Sequence, residues 1–227
     1  NRFPELSVRD QARAQAELLH ALGVRKLRTV IGPSLGGMLA LELALLEPEL
    51  VGSLILIGTT AQHSAQAIAN SSCQRAAIRL DPAFQGGAYD PDRQPRAGLA
   101  LARQMAFVGY RSEREFSERF ARDAGQCEDF AVQDYLAHQG TKFVERFDAN
   151  CYLYLSRAMD RFDLAPLTQG CVQRALVIGV ESDILFPIEG QRAIQATLEP
   201  AGATTALIAM PSIEGHDAVL VDIPRFS

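Results

Sequence analysis

Three residues far apart in the chain could together perform nucleophilic acyl chemistry. They are the serine of Gly32-Pro33-Ser34-Leu35-Gly36, the aspartate of Ser182-Asp183 and the histidine of Gly215-His216-Asp217. A serine hydroxyl is a weak nucleophile at neutral pH and needs a base, and imidazole is the side chain whose ordinary pKa suits that task. The imidazole needs an acceptor on its far nitrogen, to fix its tautomer and to stabilise the imidazolium once formed. Of the four histidines, His20 falls in an amphipathic stretch, His63 follows a strand end and His138 lies on a later helical stretch; His216 alone follows the last strand signal. Each member has a plainer reading: a tight turn for the glycine-flanked serine, a solvated loop carboxylate or helix N-cap for Asp183, a backbone-bonded loop imidazole for His216. The order serine, acid, histidine, with each residue after an expected strand, favours the chemical reading.

The elements that must position these groups are legible from periodicity. Residues 27–31 form an apolar, β-branched run that predicts a strand, and residues 35–46 predict a helix that ends before Pro48. Between them Ser34 would occupy a strained turn, with small neighbours at Gly32 and Gly36 letting strand and helix approach. Residues 51–58 are an uninterrupted apolar run, as expected of a parallel strand covered on both faces. Upstream, residues 10–22 carry apolar positions at helical spacing, with Gly23 as the stop. From Thr59 to Gly170 the pattern becomes helical throughout, with helices expected over 64–80, 97–107, 113–123, 130–142 and 149–161 and a turn-rich stretch over 81–95. The strand-helix alternation then resumes: strand 175–180, helix 188–198, strand 204–210, and a last helix opening at 216–221. The pattern predicts an α/β core over residues 1–60 and 171–227, interrupted by a helical lid over 61–170.

An apolar fraction of 48% in 227 residues is ample for a sizeable core, and a net charge of −5 without a basic run argues against nucleic acid or anionic membrane as partners. No apolar stretch reaches the roughly 20 residues that span a bilayer. Cys73, Cys127, Cys151 and Cys171 are widely spaced with no C-x-x-C pair or histidine at ligand spacing, which argues against metal and a disulfide scaffold and points to a reducing cytoplasm. The chain starts at Asn1 without an initiator methionine and stops soon after a new apolar segment begins, as a fragment or processed piece would.

The motifs Phe3-Pro4 with Val8-Arg9-Asp10, Gly32-Pro33-Ser34-Leu35-Gly36-Gly37-Met38, Asp81-Pro82 with Gly87-Ala88-Tyr89, Arg146-Phe147-Asp148-Ala149-Asn150, Leu185-Phe186-Pro187 and Gly215-His216-Asp217 extend over nearly the whole chain. With them the sequence resembles the homoserine O-acetyltransferases, α/β-hydrolase-fold acyltransferases of methionine biosynthesis. The resemblance implies a double displacement. Ser34 would take an acetyl group from acetyl-CoA, a cosubstrate rather than a bound cofactor, and pass it to the hydroxyl of homoserine, with His216 as base and acid and Asp183 behind it. It implies Arg103, Tyr110 and Asp217 as the residues binding the acceptor's carboxylate and amine, the Leu35 N–H as one oxyanion donor, and a homodimer. Serine or deacetylcephalosporin C as acceptor, succinyl-CoA as donor, and simple ester hydrolysis stay open.

Two departures bear on these expectations. The family's early strands, one of which brings the second oxyanion donor, have no counterpart here, so an incomplete α/β-hydrolase fold is expected. That portion would be a separate chain, a cleaved piece or a stretch not included, and this chain alone would be inactive. Pro33 and Leu35 replace the glycine and methionine usual around the serine, which bears on the substrate more than on the relay.

Overall fold

The structure, a computed structural model, describes residues 3–164 and 172–226. Helix α1 (Val8–Ala21) opens with a capping box in which Ser7 accepts from the Asp10 N–H and Asp10 accepts from the Ser7 N–H. It buries Val8, Ala12 and Ala16. Strand β1 (Val30–Pro33) leads through Ser34 into α2 (Leu35–Leu46), and β2 (Leu54–Ile57) follows. Five helices are then inserted: α3 (Ala65–Leu80), α4 (Arg96–Tyr110), α5 (Glu113–Phe120), α6 (Ala131–Val144) and α7 (Ala149–Asp160). The chain returns through β3 (Arg174–Val180), α8 (Ile188–Leu198) and β4 (Thr204–Met210), and ends in two single turns, α9 (Ala218–Val221) and α10 (Ile223–Phe226).

The four strands form one parallel sheet in the order β1-β2-β3-β4, with Val30 beside Leu54, Leu54 beside Ala175 and Ala175 beside Thr205. Its core gathers Met38, Leu41, Leu54, Leu56, Val177 and Phe186, all almost wholly buried. At about 1.5–3 kcal/mol per buried apolar side chain, such residues dominate the stabilisation of the sheet layer. A second apolar cluster, Ile78, Leu99, Ala102, Phe143, Val144, Ala149 and Leu153, lies within the helical insertion. The far end of α7 belongs to the sheet's cluster instead, through Ala158 and the following Phe162 and Leu164.

The first strand differs from expectation. It occupies Val30–Pro33, and Leu27 makes only an isolated bridge to Val51. Leu27 keeps the offset of the later pairs, Val51 standing to it as Leu54 does to Val30, but Arg28 and Thr29 between them join no ladder. Only glycine fits at position 52, where a Cβ would stand 2.8 Å from the Arg28 carbonyl. Pro33 is accommodated because β1 is an edge strand of the described sheet and the N–H groups of Val30 and Ser34 donate on its β2 side, so the missing donor breaks no bond to β2. Residue 216 starts no α-helix: Gly215–Asp217 is a 3₁₀ turn that runs into α9. The turn-rich 81–95 stretch contains two more 3₁₀ segments, Pro82–Gly87 and Pro91–Arg93. Cys73, Cys127 and Cys151 are free and exposed, and Cys171 lies outside the described residues. No helix among the described residues is long and apolar enough to cross a membrane.

Candidate active site

Ser34, Asp183 and His216 follow β1, β3 and β4 at the carboxyl edge of the sheet, where parallel α/β sheets place their sites. Ser34 has φ +53° and ψ −124°, a conformation costly for a residue with a Cβ. Packing enforces it. A Cβ on Gly32 would stand 2.1 Å from the Gly36 carbonyl oxygen, so only glycine lets the end of β1 and the first turn of α2 come this close. The Leu35 N–H is at the first position of α2, where no intrahelical acceptor exists and the helix dipole is positive.

The three side chains form a continuous hydrogen-bonded chain. The His216 Nδ1–H donates to Asp183 Oδ2 at 2.8 Å, and Ser34 Oγ lies 2.9 Å from His216 Nε2. A carboxylate only accepts, so the proton sits on Nδ1 and Nε2 is left as acceptor for the serine hydroxyl. The other Asp183 oxygen accepts the N–H groups of Leu185 and Phe186, each at 2.9 Å, and its side chain is wholly buried. The buried Phe186 ring packs edge-on against the His216 imidazole, 5.1 Å between centroids. The arrangement can deprotonate a serine hydroxyl and hold the resulting imidazolium.

Further residues hold this chain in place. Ser182 Oγ donates to the Ser212 carbonyl at 2.6 Å and accepts the Gly215 N–H at 3.0 Å, tying the acid loop to the histidine loop. Gly215, at φ +67°, passes so near the Tyr110 carbonyl that a Cβ would stand 2.6 Å away. Gln191, fully buried on α8, donates its amide to the Thr59 and Phe186 carbonyls, joining the end of β2 to the acid loop. Buried Arg111 faces three carboxylates, Glu214 at 2.8 Å, Asp217 at 3.4 Å and Glu115 at 3.8 Å. Of these, Ser182, Gly215 and Tyr110 carried a signal in the sequence, and Gln191 and Arg111 carried none.

Beside the chain lies a cavity of about 220 Å³ between the insertion and the sheet, which reaches the serine turn at Leu35. Arg103 and Tyr110 of α4 line it. The Arg103 guanidinium stacks on Phe107 and Phe143, each 4.6 Å away, and on Tyr110 at 5.3 Å, so it is held rigidly by aromatic faces. Burial raises the Tyr110 phenol, against the pull of Arg103, keeping it a neutral hydrogen-bond donor. Tyr110 also packs against the His216 ring at 5.7 Å. Asp217 stands apart from this set: it is absent from the cavity lining and is paired with Arg111. Burial raises its carboxyl, with Arg111 and then His216 opposing. Among the described residues no three His, Cys, Asp or Glu side chains are grouped as metal ligands.

Residues 1–205 match the family described as the alpha/beta hydrolase fold. The chain belongs to that family. Within the α/β-hydrolases its relatives include the homoserine O-acetyltransferases that its motifs resemble and, beside them, serine O-succinyltransferases, which combine the acceptor and donor left open above. It is 44% identical to a serine O-succinyltransferase from Stenotrophomonas maltophilia over 242 aligned positions, covering 99% of this chain and 65% of that one. It is also 44% identical to a homoserine O-acetyltransferase from Zymomonas mobilis, covering 98% of this chain and 64% of the relative. The crystal structure of homoserine O-acetyltransferase from Bacillus anthracis superposes with a TM-score of 0.89 at 28% identity, over 99% of this chain and 64% of that one. This α/β-hydrolase chain thus spans less than two thirds of the length of each of these proteins.

Proposed function

We propose that the chain carries the nucleophile relay of a CoA-dependent O-acyltransferase that acylates the hydroxyl of homoserine or serine. The observation that carries this reading is the Ser34–His216–Asp183 chain opening beside a cavity that holds Arg103 and Tyr110. Relatives named as transferases to homoserine and to serine support the acceptor class.

In the first half-reaction Ser34 Oγ attacks the thioester carbonyl of the acyl-CoA and its proton passes to His216 Nε2. The carbon–sulfur bond breaks, and the CoA sulfur leaves with the proton that His216 returns. In the second half, the acceptor hydroxyl gives its proton to His216 and attacks the acyl-serine carbonyl. The Ser34 ester bond breaks and Ser34 regains the proton. The carboxylate of Asp183 steadies the imidazolium in both halves, and the Leu35 N–H faces the oxyanion of each tetrahedral intermediate. Arg103 pairs with the acceptor's carboxylate, its planar fork matching the two oxygens, and Tyr110 adds a directional hydrogen bond. Asp217 would take the acceptor's ammonium as an addition to its pairing with Arg111. The helical insertion acts as the lid, excluding the water that would otherwise hydrolyse the acyl-serine.

The test is product analysis on the natural protein, with whatever flanks Asn1–Ser227 included, supplied with acetyl-CoA or succinyl-CoA and homoserine or serine. An O-acyl amino acid should form, and mass spectrometry should find the acyl group on Ser34 and none in Ser34→Ala. Release of free acid at the same rate with and without amino acid would sink the transferase reading in favour of an esterase.

A further inference from the structure

The same cavity has a second polar wall, on the side of α3, that the chemistry above leaves unused. His63, 3% exposed, donates its Nδ1–H to Asp160 Oδ1 at 3.1 Å. Asp160 is already engaged by Arg75 Nη2 at 2.6 Å and by Ser71 Oγ at 2.6 Å. His63 and Ser71 line the cavity and Asp160 does not, so Asp160 stands behind them and the ring edge away from it lies under the cavity wall beside Phe186. That edge carries Nε2, which is buried and has no hydrogen-bond partner. An unpaired buried nitrogen of this kind is costly unless a ligand completes it.

Gln74 lies on the same wall. Its Oε1 accepts from the Tyr152 hydroxyl at 2.8 Å, which orients the amide so that its NH₂ group remains for a ligand. Among the described residues no Asp or Glu side chain lines the cavity, and Arg103 on α4 is its one charged group. A wall with a free amide donor and an imidazole that becomes a donor on taking a proton, in a cavity without a resident carboxylate, suits an anion. The Asp160–Arg75 pair already balances its own charge, so an imidazolium at His63 would be balanced by the ligand itself.

The wall is also placed for one end of an acyl group. The Phe186 ring touches His63 at 5.3 Å and His216 at 5.1 Å between centroids, so one phenyl ring separates this imidazole from the base that serves Ser34. We propose that His63 and Gln74 form a subsite for the terminal carboxylate of a dicarboxylic acyl group carried on Ser34, distinct from the Arg103 position that takes the acceptor. This rests on the acyltransferase reading, and it makes the chain selective for a succinyl over an acetyl donor. On binding, the ligand carboxylate pairs with His63 Nε2–H, the proton coming from solvent or arriving with the carboxylic acid.

The experiment measures acylation of Ser34 by succinyl-CoA and by acetyl-CoA in the natural protein, in His63→Gln and in Gln74→Glu. The second substitution keeps the acceptor for Tyr152 while presenting a carboxylate to the ligand. The ratio of kcat/KM for succinyl-CoA to that for acetyl-CoA should fall about tenfold or more in both variants, as loss of a charge-assisted hydrogen bond implies. Circular dichroism on each variant separates loss of fold from loss of preference, and Gln74→Glu decides the matter if His63→Gln unfolds. An unchanged ratio in both variants, or equal losses with both donors in folded protein, overturns the subsite. If neither CoA ester acylates Ser34 in the natural protein, the acyltransferase reading itself fails, and the subsite with it.

Discussion

Arg111 Nη2 lies 3.4 Å from a carboxylate oxygen of Asp217, the residue immediately after the histidine of the relay. Nη1 of the same guanidinium reaches Glu214, two residues before that histidine, at 2.8 Å. One buried cation at the junction of α4 and α5 therefore holds both flanks of the His216 turn. Arg111→Met should leave Glu115, Glu214 and Asp217 without it and cost about 3–5 kcal/mol, the penalty of breaking a buried ion pair from one side. Urea denaturation would measure the loss, and the acylation rate of Ser34 should fall with it because the imidazole loses its anchorage. A variant of unchanged stability and rate would show that the turn is held by Ser182 and Gly215 alone.

Asp183→Asn keeps the shape of the acid but presents an amide to a ring nitrogen that must donate. The asparagine favours the tautomer with its proton on Nε2, which cannot accept from Ser34. Acylation should slow by about 10⁴-fold, as in relays of this type. Stopped-flow release of the CoA thiol would read it, and a loss of less than tenfold would remove Asp183 from the proposed role.

Gly32→Ala places a Cβ where the Gly36 carbonyl oxygen already stands. The first turn of α2 has to move, so the protein should lose at least about 1–3 kcal/mol through overpacking. Because Ser34 sits in that turn, acylation should fall further than stability does. Thermal unfolding together with the acylation assay would separate the two, and full activity in the alanine variant would show that strand and helix can part without disturbing the serine.

The stability of the fold should decline on the acid side of His63's ordinary pKa. Burial lowers the His63 pKa below its usual 6.5, with Asp160 opposing the shift and Arg75 adding to it. Below pH 6.5 the unfolded chain therefore binds a proton there that the folded chain resists, so unfolding is favoured progressively until the lowered folded value is passed. Urea midpoints measured from pH 7.5 downward should fall, and His63→Gln should flatten that part of the curve. An identical slope in the variant would assign the acid sensitivity to other groups.

Much of this architecture could be read from the chain, because punctuation and periodicity coincide. Helix α8 and strand β4 occupy their expected residues, bounded by Pro187 before Ile188 and by Gly202 before Thr204. The juxtaposition of Ser34, Asp183 and His216 was legible for the same reason: each follows a strand by a few residues, so sheet topology alone brings them to one edge. The supporting groups were not. His63 and Asp160 are 97 residues apart with no shared motif, and meet only because α3 packs along α7. Arg111 is one of 22 basic residues, and Gln191 one polar residue in an amphipathic helix; nothing local marks either as buried. The start of β1 lies later than the side-chain pattern implies because Arg28 and Thr29 join no ladder, a break that depends on backbone pairing and leaves no mark in residue type.

The hydrogen-bonded chain and the polar side chains of the cavity come from separate stretches of sequence, although Leu35 and Leu185 also line the cavity. Ser34, Asp183 and His216 hang from strand ends, whereas His63, Gln74, Arg103 and Tyr110 belong to the segment inserted between β2 and β3. Substitutions at those four side chains can therefore reshape the cavity without touching the Ser34–His216–Asp183 hydrogen bonds, whereas Arg111 and the Tyr110 carbonyl tie the same segment to the His216 turn. The cavity's polar wall is thus one contiguous stretch of chain, and exchanging it means preserving its grip on that turn.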